Sequence, residues 1–234
     1  MIVDTHVYLG RWPFGRLPDD EPERLAARLA RHDVGEAWGG SFEGGLDRAV
    51  GGVNARLAKI CAEQTAAANA ATWRAFGTVH PLLPDWEEDV RRCAEDYQMP
   101  GIRLLPGYHG YALDDPRVQT LWKLAGDYGL IVQVVVELED ARTQHPLVQV
   151  SVVEVSPLVT LASAAESPAV VVLGGRRGEP PDVVDRLAAT GRVWFDFARR
   201  EGVGCVRELI DQIGVAREVM GSMAPLSYFE SAVL

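Results

Sequence analysis

Cysteine is scarce in this sequence. Cys61, Cys93 and Cys205 lie far apart with no C-x-x-C spacing, which excludes a disulfide framework and leaves no signature of a structural zinc site. Basic charge is also outweighed, with 23 Lys and Arg against 33 Asp and Glu for a net charge of −10 and an isoelectric point near 5.0. That balance argues against a nucleic-acid or anionic-membrane partner, while a local Arg cluster remains able to hold a small anion. No run approaches the ~18 apolar residues that span a bilayer. Asp4, His6 and Arg11 interrupt the apolar start, so no signal-peptide core forms. The expected location is the reducing cytoplasm.

What is present is ordinary globular material. The 234 residues are 47% hydrophobic and 24% charged, enough for one large domain with a substantial core. No linker or low-complexity tail is evident, and one domain over residues 1–234 is expected.

Short β-rich runs alternate with helical segments along the whole length, the pattern of parallel βα units. Strands are expected at 2–7, 36–41, 75–79, 101–105, 131–137, 170–173, 193–197 and 218–221. Helices are expected at about 20–32, 53–70, 84–97, 114–129, 157–166, 181–190 and 203–213. Asp115-Pro116 reads as an N-cap followed by proline at the first helical position, and Gly129 is placed to stop that helix. Continuously apolar strands such as 170–173 suit a sheet covered by helices outside and filled by side chains within. The expected fold class is α/β, a single TIM-like (β/α)8 barrel, allowing distortion, with a short or truncated last helix over 226–234.

In such a barrel reactive residues gather at the carboxyl ends of the strands and in the loops that follow. That rule selects His6 and Tyr8 after the first strand, His80 after the third, and Arg103 with the loop Gly107-Tyr108-His109-Gly110-Tyr111 after the fourth. It adds Glu137, Glu139, Arg142 and His145 after the fifth, Arg176 and Arg177 after the sixth, Asp196, Arg199, Arg200 and Glu201 after the seventh, and Ser222 and Met223 after the eighth. A metal on a barrel floor would call for imidazoles at i and i+2, which share one face of a strand. Tyr8 points the right way, but a phenol with pKa near ~10 is a poor metal ligand at neutral pH.

Without a metal, His6 would serve as general base with Asp196 or Glu137 as its orienting acid, and Arg103 would bind a substrate carboxylate. Each residue has a plainer alternative: His6 as a buried, hydrogen-bonded histidine, His80 and His145 as loop residues before prolines, and the arginine pairs as solvated charges. His6, His80 and His109 come from strands that are not all neighbours, so their spacing does not support one shared ion.

The segments Val3-Asp4-Thr5-His6-Val7-Tyr8-Leu9-Gly10, Gly101-Ile102-Arg103-Leu104-Leu105-Pro106, Tyr108-His109-Gly110-Tyr111-Ala112-Leu113-Asp114-Asp115-Pro116 and Val219-Met220-Gly221-Ser222-Met223-Ala224-Pro225 resemble, in this order, the amidohydrolase-2 branch of the amidohydrolase superfamily. The resemblance implies a distorted (β/α)8 barrel related to metal-dependent hydrolases and decarboxylases of small, often cyclic or aromatic acids. It also implies a metal site that has degenerated. The branch carries His-x-His on the first strand, histidines on the fifth and after the sixth, and aspartate in a Gly-Ser-Asp sequence on the eighth. Here only His6 keeps its place; Tyr8, Val134-Val135-Val136, Gly174-Gly175 and Met223 stand at the others.

Three readings follow: a divergent hydrolase or lyase of a small organic acid or amide, with His6, Tyr8, His80, Arg103, His109, Glu137 and Asp196 as its candidate residues; a non-catalytic small-molecule-binding or partner-subunit protein; and a conventional metal enzyme with its ligands elsewhere. No cofactor is expected, zinc or another divalent metal being the alternative. The expected partner is a small-molecule ligand, and a homodimer is left open.

Overall fold

The computed structural model describes residues 1–67, 71–175 and 180–233. Eight parallel strands stand in the order of the sequence: β1 (Ile2–Leu9), β2 (Val34–Ser41), β3 (Thr72–Thr78), β4 (Gly101–Leu104), β5 (Ile131–Val135), β6 (Val170–Leu173), β7 (Val193–Asp196) and β8 (Glu218–Val219). All eight expected strands are present, with boundaries shifted by up to three residues. The ring closes through backbone bonds between β1 and the segment after β8. Thr5 N–H donates to Met220 O at 2.9 Å, Met223 N–H to His6 O at 2.7 Å and Tyr8 N–H to Ala224 O at 2.8 Å. The fold is therefore the TIM-like α/β barrel.

Helices α1 (Pro22–Ala30), α2 (Val50–Ala66), α3 (Trp86–Arg91), α4 (Pro106–His109), α5 (Pro116–Asp127), α6 (Pro157–Ala162), α7 (Pro181–Ala189) and α8 (Cys205–Ile213) connect the strands. Asp115 caps α5 by accepting the Arg117 N–H, with Pro116 in the first turn, and Gly129 follows at φ 66°. This is the stop expected of a left-handed residue past a helix end. α3 runs on into a π-helical turn over Arg92–Asp96, which gives the expected length to about 97. Among the described residues after β8, the helical element is a single 3-10 turn, Phe229–Ala232. The segment expected as a glycine-flanked loop is in part the single turn α4. No described helix is long and apolar enough to cross a membrane.

Strand alternation divides the core in two. On β5, Val132 and Val134 face the helices and join a large outer core with Leu25, Ile102, Val170 and Leu187. Val135 faces inward with Tyr8, Leu105, Val171, Leu173 and Met223, and Trp12 and Phe42 complete that inner layer. Gln133, between Val132 and Val134, is fully buried and also turns inward.

Candidate active site

The residues at the strand ends of the barrel interior, here called the bowl, follow from the two-residue period of β1. His6 and Tyr8 share its inner face, Asp4 precedes a register irregularity between Asp4 and Val7, and none of the three has exposed surface. His6 Nδ1 lies 2.5 Å from Asp196 Oδ2 at the end of β7. The other Asp196 oxygen accepts the Gly174 N–H at 2.7 Å. Gly174 sits at φ 68°, and a Cβ there would collide with the carbonyl of Glu137, so glycine is required where the backbone turns to meet Asp196. With Nδ1–H given to the carboxylate, Nε2 carries the lone pair and faces Tyr8 Oη at 3.3 Å.

Burial dominates the titration of these groups. It lowers the His6 pKa despite the opposing pull of Asp196, pushes the Tyr8 phenol up to about 12 and raises Asp4 to about 6. His6 and Tyr8 are therefore neutral at pH 7. The row Asp196, His6, Tyr8 has the order of acid, oriented base and hydroxyl, but the hydroxyl belongs to the chain itself.

Arg103 spans the interior from β4. Its Nε donates to Gln133 Oε1 at 2.8 Å, and its two terminal nitrogens donate to Val7 O at 2.9 Å and Trp38 O at 3.1 Å. Its guanidinium lies 4.6 Å from the centre of the Tyr8 ring. The group expected to bind a substrate carboxylate is thus engaged by the barrel's own carbonyls.

The remaining candidates fall elsewhere. His80 and His109 stack on each other at 4.0 Å, and His109 Nε2 meets Gly44 O at 2.9 Å. Burial lowers both, His109 to about 4. Glu137 pairs with Arg199 at 3.0 Å rather than with His6, so Asp196 alone orients the imidazole. Glu139 accepts from Tyr108, Arg142 pairs with Asp140, and His145 stacks on Phe14 at 5.2 Å. Arg200 is half-buried and partnered, while Glu201 is exposed. Ser222 gives its N–H to Asp4, and its hydroxyl accepts from Ala224. Arg176 and Arg177 lie outside the described residues.

Aromatic side chains cover the bowl. Tyr8 stacks on Phe42 at 4.7 Å, and Trp12 packs edge-on against Phe42 at 5.2 Å and Tyr108 at 6.4 Å. The Phe14–His145 contact joins the loop after β1 to the irregular segment after β5.

Among the described residues of the bowl, no donor set suits a divalent cation. Both His6 nitrogens face partners, Val135 and Met223 are buried in the inner apolar layer, and Gly174 presents only its N–H. Among the described residues no three His, Cys, Asp or Glu side chains converge as a metal group.

No family model matches the sequence, and no curated protein matches it. Solved structures do share the fold. A protein from Staphylococcus aureus assigned as an amidohydrolase superposes with a TM-score of 0.68 at 12% identity, over 98% of this chain and 92% of that one. 2,6-Dihydroxybenzoate decarboxylase from Rhizobium gives 0.66 at 12% over 99% and 91%. 5-Carboxyvanillate decarboxylase from Novosphingobium aromaticivorans, solved with bound manganese, gives 0.64 at 15% over 90% and 73%. The barrel is thus the fold that these solved structures share with this chain.

Sequence reasoning missed three participants. Asp4 precedes His6 by two residues on β1, the spacing that already linked His6 to Tyr8, so the signal was available. Gln133 announced itself as the one polar residue within an apolar strand. The Gly174 N–H carries no side-chain signal at all.

Proposed function

We propose that this chain is a non-catalytic barrel, a small-molecule-binding or partner-subunit protein built on the amidohydrolase fold. One observation carries the reading: His6, Tyr8 and Arg103 have no exposed surface and Asp196 has 1%. General acid–base work needs a base within reach of a substrate proton, and here Tyr8 occupies that reach. The test is turnover of hydroxybenzoates, carboxyvanillate and pyrone dicarboxylates, with and without added zinc or manganese. No conversion is expected. Conversion by the wild type that disappears in His6→Ala would overturn the reading.

A second reading is favoured by the Asp196–His6 geometry, held in register by the Gly174 N–H. In it the chain is a metal-free lyase or hydrolase of a small cyclic or aromatic acid, with Asp196 orienting His6 as base. The loops carrying Trp12, Phe14 and His145 would then have to part to admit substrate, displacing the Tyr8 hydroxyl from Nε2. Loss of turnover in Asp196→Asn, with binding retained, would support this reading over the first. Both readings take residues 1–234 as one domain. The free cysteines Cys61, Cys93 and Cys205 support a reducing, cytoplasmic setting.

A further inference from the structure

We infer that Arg103 is the resident cation of the bowl, a tethered positive charge that balances its carboxylates and leaves no role there for a divalent metal. Arg103 is the one Lys or Arg among the described residues that is fully buried. Burying a guanidinium costs heavily unless its donors are satisfied and opposite charge lies near. The donors are satisfied: Nε and both terminal nitrogens donate to fixed oxygens of the barrel, and the guanidinium lies against the Tyr8 ring. Burial lowers its pKa, and Tyr8, Asp196 and Asp4 oppose that shift.

The sequence makes room for it. A Cβ at residue 40 of β2 would overlap the Arg103 guanidinium, so Gly40 marks a close approach of side chain to backbone. Gln133 completes the fit from β5, accepting from Arg103 Nε and donating to Thr5 O at 2.8 Å. Four strands, β1, β2, β4 and β5, thus converge on one guanidinium. A divalent ion beside His6 would meet a like charge in a low-dielectric interior, where both His6 nitrogens already face partners.

The inference uses the closed bowl on which the proposed non-catalytic role rests, but its test reads metal content and stability rather than turnover. Finding turnover would sink that role and leave the Arg103 inference standing. The full chain is purified without added metal, and its zinc and manganese are measured by elemental mass spectrometry beside His6→Ala. Substoichiometric metal is expected, and the thermal midpoint should not move with EDTA or with added manganese, since an ion bound to the folded chain alone would raise it. Arg103→Met, similar in length but uncharged, should lower the midpoint by about 10 °C, and Arg103→Lys by less. If Arg103→Met does not fold, Gln133→Leu, which frees Arg103 Nε and the Thr5 carbonyl, should lower the midpoint by about 4 °C. About one metal equivalent, absent from His6→Ala, would overturn the inference, as would a methionine variant as stable as the lysine variant or an unmoved midpoint in Gln133→Leu.

Discussion

Asn54 holds Thr78 by both of its backbone polar groups. The Asn54 amide donates to Thr78 O and accepts the Thr78 N–H, each at 2.8 Å, so a side chain of α2 imitates a neighbouring strand at the end of β3. Asn54 is 1% exposed and Thr78 is not exposed at all, so water cannot replace these bonds. Asn54→Leu should therefore cost about 2–4 kcal/mol, because it strands a buried N–H and a buried C=O. Urea unfolding measures it, and a change below about 0.5 kcal/mol would contradict the clamp.

The Asp4 carboxyl gives a pH signature. One of its oxygens accepts the N–H groups of His6 and Ser222, while the other is buried with no partner. Burial raises the group from 3.8 to about 6, so the folded chain holds the proton more tightly than the unfolded chain. Its contribution is present below about pH 4 and is lost as pH rises through about 6. Asp4→Asn keeps the accepting oxygen and removes the charge. It should gain on the order of 1–3 kcal/mol at pH 7.5 and little at pH 4; equal effects at the two pH values would refute this account.

Tyr8 allows the hydrogen bond and the packing to be separated. Tyr8→Phe keeps the stacking on Phe42 and removes only the hydroxyl facing His6, for an expected loss of about 1 kcal/mol. Tyr8→Ala also empties the inner layer and should lose about 3–5 kcal/mol. Similar losses in the two variants, compared by chemical denaturation, would mean that the ring contributes little.

Gly174 is sensitive for two reasons at once. A methyl group there meets the Glu137 carbonyl and disfavours a φ of 68°, and any shift of the loop takes the N–H away from Asp196. Gly174→Ala should cost more than about 2 kcal/mol. Differential scanning calorimetry would detect it, and a wild-type midpoint would show that the turn is not constrained.

The barrel could be read because each strand is a short β-rich run between helix signals, and period two put His6 and Tyr8 on one inner face. The chemistry of Arg103 could not be read the same way. Its partners are the carbonyls of Val7 and Trp38 and the missing side chain of Gly40, and backbone atoms leave no mark in a pattern of residue types. Choosing between Asp196 and Glu137 as the partner of His6 had the same difficulty. It depended on Arg199 claiming Glu137, a pairing between loops whose paths the sequence does not specify. His80 follows β3 and His109 closes α4, and their stacking on each other is a relation in space alone.

The bonds from β1 to residues 220–224 also bear on the order of synthesis. Thr5 and Met220 are 215 positions apart, so while the ribosome makes the intervening chain, one edge of β1 has no native neighbour. An unpaired parallel edge recruits other strands. The growing chain would depend on chaperone protection until its seam is translated, and cutting between β8 and residue 220 would yield an open, self-associating sheet rather than a smaller barrel.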